Sequence, residues 1–111
     1  MARRYGCAVW GCGWVASGHI NAYLKHPQCD LVALGSRSAE SVRGKQAEFG
    51  LETPVYTTFS DLLADPQVDV VSICTPNYLH ASETIAAARA GKHIFIEKPV
   101  ATTPEDIQSM L

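Results

Sequence analysis

What this 111-residue sequence lacks narrows its class before any motif is considered. No apolar run reaches the roughly 18 residues that a membrane-spanning helix needs. The formal net charge is only −2, so no charge excess favours nucleic acid or an anionic membrane as a partner. None of the four cysteines stands in a Cys-x-x-Cys pair, which argues against a zinc site or a disulfide framework. We therefore expect a soluble, cytoplasmic protein that binds no metal and no nucleic acid and does not enter a membrane.

Short apolar runs alternate with segments of helical periodicity along the whole chain. Strands are expected at Tyr5–Trp10, Leu31–Leu34, Val55-Tyr56, Asp69–Cys74 and His93–Ile96. Helices are expected at Trp14–Lys25, from a Ser38 cap to about Phe49 with Gly50 at its end, from Thr58 to before Pro66, at Tyr78–Ala90 and from Thr103. This alternation predicts one α/β domain over residues 1–111, a doubly wound parallel sheet of the Rossmann type in the strand order 3-2-1-4-5.

The first strand-to-helix turn carries a glycine pattern, Gly11-Cys12-Gly13-Trp14-Val15-Ala16. A Gly-x-Gly-x-x-Ala spacing after a strand and before a helix is typical of dinucleotide binding, because the glycines allow a tight turn and a close approach of the pyrophosphate. We therefore expect the backbone of this turn to bind the diphosphate. The residues concerned are Gly11, Cys12, Gly13, Trp14 and Val15. A turn whose glycines serve only packing is the alternative. The indoles of Trp10 and Trp14 are expected to be packing residues, with shielding of the diphosphate as a second role for Trp14.

The turn after the second strand lacks the acidic residue that NAD-preferring folds place about 20 residues after the glycine pattern. Ser36 and Arg37 occupy this turn, and no carboxylate lies between Asp30 and Glu40. A serine hydroxyl and a guanidinium would bind a 2′-phosphate through charge-assisted hydrogen bonds, whereas an acid would repel it. The turn therefore favours NADP, with NAD as the other candidate cofactor. Stacking of Arg37 on the adenine ring, the alternative role, suits either one.

Two further motifs follow the fourth and fifth predicted strands, at the carboxyl edge of the sheet where open α/β folds bind ligands. They are Thr75-Pro76-Asn77-Tyr78-Leu79-His80 and Glu97-Lys98-Pro99, and Ala90-Gly91-Lys92-His93 stands between them. Together with the glycine turn, these motifs resemble the N-terminal domain of the glucose–fructose oxidoreductase/inositol dehydrogenase (Gfo/Idh/MocA) family. The resemblance extends from Gly11 to Ala101 and so includes nearly the whole chain.

The resemblance implies roles for individual residues. Residues 75–77 would line the nicotinamide–ribose side of the cofactor, and His80 would cap the cofactor from the following helix. Glu97 would contact the nicotinamide ribose. Lys98 would be the catalytic residue of this chain, reaching both the ribose and a substrate hydroxyl and polarising the carbon–oxygen bond. A cis peptide between Lys98 and Pro99 is also implied.

The resemblance further implies an NAD(P)-dependent oxidoreductase that interconverts an alcohol and a carbonyl on a sugar, cyclitol or related polyol. Family members carry a second, larger α/β domain for the substrate, and these 111 residues do not encode one. We therefore expect a truncated cofactor half that is inactive alone. The expected partners are the dinucleotide and, in a full-length enzyme, the small-molecule substrate. His93–Ile96 is expected to be an outer strand with an open edge. The isolated chain should therefore either pair edge to edge with a second copy, giving a homo-oligomer, or be poorly soluble; in a larger protein, later residues would fill the edge.

Two other functions are compatible with a nucleotide-binding start. The first is a non-catalytic redox sensor or protein-interaction module that binds a nucleotide without turnover. The second is a methyltransferase, which shares the strand, glycine loop and helix. Methyltransferases usually keep an acid at the end of the second strand for the ribose hydroxyls, and the sequence has Ser36 and Arg37 there.

Overall fold

Five parallel strands form a single sheet in a computed structural model that describes residues 4–96, apart from the side chain of Asn77. The strands are β1 (Tyr5–Trp10), β2 (Cys29–Gly35), β3 (Val55–Tyr56), β4 (Val70–Ile73) and β5 (His93–Ile96). Their spatial order is β3-β2-β1-β4-β5, and every neighbouring pair is parallel. The predicted doubly wound order is therefore confirmed.

The predictions for Glu97, for Lys98 and its peptide bond to Pro99, and for a helix from Thr103 lie outside the described residues. In the part of the chain that is described, β5 pairs with β4 on one side and is the outer strand. The helices are α1 (Ala16–Lys25), α2 (Ala39–Phe49), α3 (Phe59–Leu63) and α4 (His80–Arg89), and a 3-10 turn, Asn77–Leu79, precedes α4.

The helix ends confirm the capping signals of the sequence. The Ser38 hydroxyl accepts a hydrogen bond of 3.2 Å from the Ser41 backbone N–H at the start of α2. Gly50 ends the same helix in the left-handed conformation, with φ 67° and ψ 42°. The Thr58 hydroxyl accepts a 3.4 Å hydrogen bond from the Asp61 N–H at the start of α3. Side-chain caps of this kind satisfy N–H groups that the helix itself leaves unpaired.

Two helices begin later than the sequence pattern predicts. The N–H groups of Ala16, Ser17 and Gly18 bond to carbonyl oxygens three residues back, at 3.2, 3.4 and 3.3 Å. Residues 13–15 therefore form a tight turn, and α1 begins at Ala16 instead of Trp14. The 3-10 turn delays α4 in the same way, so that this helix begins at His80. Apolar periodicity does not distinguish such three-residue turns from the first turn of an α-helix.

The core lies on both faces of the sheet, because side chains alternate along each strand. On one face, Trp10 packs with residues of α3, α4 and β4, and its ring centroid is 5.1 Å from that of Phe59. On the other face, Val9 packs with Ile20 of α1 and Val42 of α2. The central strand β1 is thus buried on both sides, as a doubly wound sheet requires. Among the described helices, none is long and apolar enough to cross a bilayer.

Candidate functional site

Three strand-to-helix loops meet at the carboxyl edge of the sheet and enclose a cavity of about 450 Å³. The loops follow β1, β2 and β4, which are neighbours in the sheet. The predicted cofactor-binding residues that line this cavity are Gly11, Cys12, Gly13, Trp14, Val15, Ser36, Arg37, Thr75 and Pro76. Three residues that the sequence reasoning did not select also line it, Cys74, Tyr78 and Leu79. The separate motifs of the sequence therefore form the walls of one crevice.

Gly11 joins the loops to one another. Its backbone has φ +94°, and a Cβ added there would lie 2.7 Å from the carbonyl carbon of Cys74 and 2.9 Å from the N of Thr75. Its N–H donates a 2.8 Å hydrogen bond to the carbonyl oxygen of Gly35 at the end of β2. Any side chain would push these segments apart, so the architecture itself requires glycine at this position.

Gly13 differs from Gly11 in its backbone conformation and in the space around it. Its φ is not among the positive values of the described glycines, and a Cβ added to it would meet no protein atom within 4 Å. Neither backbone strain nor packing within residues 4–96 therefore requires glycine here. The missing side chain leaves the cavity wall as bare backbone. A closely approaching ligand gives a physical reason for the residue, which the packing-only alternative does not.

The turn before α1 presents free backbone donors. Within residues 4–96, no acceptor receives a hydrogen bond from the N–H groups of Cys12, Gly13, Trp14 or Val15. All four residues line the cavity. The positive end of the α1 dipole lies behind them, so this wall favours an anionic group.

The loop after β2 places a cation in the wall of the same cavity. The Arg37 side chain is exposed, and among the described carboxylates none lies within ion-pairing distance of it. The loop itself is ordered by two contacts of Ser36: its N–H donates to the carbonyl oxygen of Tyr56 at 3.0 Å, and its hydroxyl accepts from the Ser38 N–H at 3.3 Å. Arg37 also lines a second cavity of about 410 Å³ between Trp10, Phe59 and α4.

Two side chains of α4 form hydrogen bonds with the loop after β4. His80 is only 1% exposed, and its Nε2 lies 2.8 Å from the carbonyl oxygen of Thr75. Glu83 is 7% exposed and accepts hydrogen bonds from the Thr75 hydroxyl and from the indole N–H of Trp10. The predicted contact of His80 with a cofactor stays a prediction.

Sequence reasoning did not select Glu83, although the residue lies in the first turn of α4, where an acid stabilises the helix dipole. An acid in a helix that is otherwise rich in alanine was the available signal. The structure does not describe the side chain of Asn77, and Glu97 and Lys98 lie beyond the last described residue, so the roles predicted for these three residues stay predictions.

Trp10 and Trp14 have opposite environments. Trp10 is buried as predicted, with 2% of its surface exposed. The packing role predicted for Trp14 is wrong, because its side chain is 90% exposed. The turn of residues 13–15 projects this indole away from the core and beside the cavity mouth.

The Cys12 thiol is buried and hydrogen-bonded within the fold, although Cys12 is one of the residues that line the cavity. Its Sγ donates to the carbonyl oxygen of Gly35 at 3.5 Å. Burial raises the pKa of Cys12 to about 11, against a smaller lowering by Lys45, so the thiol is neutral near pH 7. In the part of the chain that the structure describes, no group of three or more His, Cys, Asp or Glu side chains could hold a metal ion.

Comparison with known proteins assigns this arrangement to a family. Residues 5–111 match the Gfo/Idh/MocA family model, an oxidoreductase family with an NAD-binding Rossmann fold. The chain is 43% identical over 101 residues to 1,5-anhydro-D-fructose reductase of Ensifer adhaerens; the match spans 91% of this chain and 30% of the relative.

Two solved structures are similar in fold as well as in sequence. The WlbA dehydrogenase from Bordetella pertussis, in complex with NADH and UDP-GlcNAcA, matches with a TM-score of 0.90 and 32% identity over 99% of this chain and 33% of its own. The 3-ketoreductase KijD10 from Actinomadura kijaniata, in complex with TDP-benzene and NADP, matches with a TM-score of 0.86 and 29% identity over 97% of this chain and 34% of its own. The chain thus spans about a third of the length of these proteins.

Proposed function

The chain belongs to the Gfo/Idh/MocA oxidoreductase family, and we propose that it binds the dinucleotide cofactor of an enzyme that interconverts an alcohol and a carbonyl on a sugar, cyclitol or related polyol. The observation that carries the proposal is the convergence of three loops on one cavity, with Gly13 left open where neither packing nor backbone strain needs a glycine. The substrate class is supported by the reductase of 1,5-anhydro-D-fructose among the relatives.

In this proposal, each wall of the cavity binds one part of the cofactor. The free N–H groups of residues 12–15 bind the diphosphate, and the bare backbone of Gly13 lets it approach closely. Ser36 and Arg37 bind the ribose and its 2′-phosphate at the adenosine end. Residues 75–77 line the nicotinamide ribose at the other end.

The same loops favour NADP over NAD. The guanidinium of Arg37, which has no ion-pair partner within residues 4–96, and the hydroxyl of Ser36 suit a 2′-phosphate, and no carboxylate stands in the turn to repel it. Similar structures have been solved with NADH and with NADP, so the fold accommodates both. In this proposal, Ser36 and Arg37 of the β2–α2 loop make the discrimination.

The chemistry divides between cofactor and protein. When bound, the nicotinamide would supply hydride transfer to or from the reacting carbon of the substrate. Lys98 is proposed to donate a hydrogen bond to the reacting oxygen and so to stabilise its developing negative charge. A basic group takes the hydroxyl proton when the alcohol is oxidised and returns it in the reverse direction.

Titration of the protein that carries this chain with NADPH and with NADH tests the proposal. We expect tighter binding of NADPH, and we expect Ser36→Asp to shift the preference toward NADH, because the carboxylate repels the 2′-phosphate and accepts hydrogen bonds from the ribose hydroxyls. S-adenosylmethionine, the ligand expected of a methyltransferase, is the control. Equal affinities, or tighter binding of NADH, would contradict the NADP assignment. Cofactor binding without turnover of any sugar or polyol would favour the redox-sensor alternative.

A further inference from the structure

Glu83 is a buried acid for which the proposed cofactor contacts have no direct use. It lies on α4 with 7% of its surface exposed, between the end of β1 and the β4–α4 loop. One carboxylate oxygen accepts from the Trp10 indole N–H at 2.6 Å, and the other accepts from the Thr75 hydroxyl. A carboxylate is costly to bury unless both oxygens are matched by donors, and here both are.

The chemistry of these groups determines which atom donates and which accepts between Trp10, Glu83 and Thr75. An indole N–H can only donate, and an ionised carboxylate can only accept. The hydroxyl hydrogen of Thr75 is therefore used by Glu83, which leaves the hydroxyl oxygen only its lone pairs for any other partner. The carbonyl oxygen of the same threonine already faces Nε2 of His80 at 2.8 Å.

Thr75 lines the 450 Å³ cavity, so this polarity is presented to the ligand. We propose that Glu83 is a positioning residue of the cofactor site, which makes the Thr75 hydroxyl a hydrogen-bond acceptor and thereby selects an N–H or O–H group of the cofactor at that wall. The inference rests on the proposed function. A ribose hydroxyl or a carboxamide N–H satisfies this requirement, whereas a phosphate oxygen does not.

The inference also gives the dinucleotide a direction in the cavity. Donor N–H groups and the cation of Arg37 lie at the β1–α1 and β2–α2 loops, and an acceptor lies at the β4–α4 loop. Phosphates are therefore favoured at the first two loops, and the hydroxyl-rich nicotinamide ribose is favoured at Thr75. Reversing the cofactor would place an anion against a hydroxyl that has no hydrogen to donate.

Glu83→Gln tests the polarity with little change in shape. The amide oxygen can still accept from Trp10, but the amide nitrogen must donate to Thr75, which turns the hydroxyl hydrogen toward the cavity. We expect NADPH affinity to fall roughly tenfold, because the Thr75 hydroxyl could no longer accept from the cofactor: an N–H group would lose its partner, and a ribose hydroxyl would have to turn and give up its donation at this wall. Affinity for 2′,5′-ADP, which lacks the nicotinamide ribose, should stay unchanged. Glu40→Gln, an exposed acid on α2, is the matched control and should alter neither affinity.

A double-mutant cycle excludes a purely structural effect. Thr75→Val removes the hydroxyl, so Glu83→Gln should cause no further loss of NADPH affinity in the Thr75→Val background. The NMR resonance of the Trp10 indole N–H should remain downfield in Glu83→Gln and so report that the helix contact persists.

Equal losses for NADPH and 2′,5′-ADP in Glu83→Gln, or an unchanged NADPH affinity, would overturn the inference while leaving the proposed function intact. Failure of the unmodified protein to bind NADPH or NADH would overturn both.

Discussion

The two glycines of the β1–α1 turn have different reasons for being glycine. Gly11 has φ +94° and lies against the backbone of Cys74 and Thr75, so its small size serves the fold. Gly13 has open space where its side chain would be. The Gly-x-Gly pattern therefore combines one structural position and one position that is free to serve a ligand, and the two can be separated by experiment.

Gly13→Ala is predicted to weaken cofactor binding without weakening the fold. The new methyl group meets no atom of residues 4–96, so the free energy of unfolding should change by less than about 0.5 kcal/mol in urea denaturation. Because Gly13 lines the cavity, the methyl group should hinder the close approach of the diphosphate, and NADPH affinity should fall at least about tenfold. Gly18→Ala, on the exposed surface of α1, is the control and should leave NADPH affinity unchanged.

Gly11→Ala should give the reverse pattern, because its Cβ would clash with the β4–α4 loop. The free energy of unfolding should fall, and any loss of NADPH affinity should be secondary to that loss of stability. Full NADPH affinity in Gly13→Ala would show that the turn has only a packing role.

At the residue scale, the sequence predicted positions better than it predicted side-chain environments. The spacing of Gly11 and Gly13 and the Ser36-Arg37 pair identified residues that do line one cavity. The exposure of Trp14 could not be predicted, because it depends on where the tight turn of residues 13–15 directs the indole. The burial of Glu83 could not be predicted either, because one of its two hydrogen-bond partners, Trp10, lies on a strand distant in sequence. Residue type alone suggests the opposite for each: an acid outside and an indole inside.

At the scale of elements, strands bounded by glycine or proline and helices with explicit caps were predicted well. The bounds of β1, β3 and β5 agree with the structure, and Ser38 and Gly50 cap α2 as expected. The starts of α1 and α4 were predicted two residues early, because hydrogen bonds three residues apart precede both helices and leave no signature in apolar spacing.

The α2 helix offers a matched pair of glycines for a stability test. Gly44 lies inside the helix, and a Cβ there would meet no atom of the described part of the chain within 4 Å, whereas Gly50 ends the helix at φ +67°. Gly44→Ala should stabilise the protein by roughly 0.5–1 kcal/mol, because alanine has the higher helix propensity. Gly50→Ala should destabilise it by about 1 kcal/mol, because an L-residue is strained in the left-handed region.

Chemical denaturation of both variants measures the difference, and NADPH affinity should be unchanged in each, since neither glycine lines the cavity. Changes of stability in the same direction for the two substitutions would contradict this account of the helix end.

At the scale of the whole molecule, topology was predictable because alternating strands and helices allow few arrangements once crossovers are right-handed. The order β3-β2-β1-β4-β5 then places the ends of β1, β2 and β4 side by side, which is why distant motifs form one crevice. The chain spans about a third of its relatives, so the substrate and the proton-transfer group of the reaction stay proposals.

This shared crevice leads to a prediction about global stability. A ligand bound across the loops after β1, β2 and β4 contacts elements from both halves of the sheet, so global unfolding requires its release. At a hundred times its dissociation constant, NADPH should stabilise the fold by about 2.7 kcal/mol, which raises Tm by roughly 10–20 °C for a domain of this size. Differential scanning fluorimetry measures the shift. At the same NADPH concentration, Gly13→Ala should show a smaller shift from an unchanged starting Tm, and Gly44→Ala should show the full shift from a higher one. A Tm that does not respond to saturating NADPH would mean that the crevice does not bind the cofactor in the folded state.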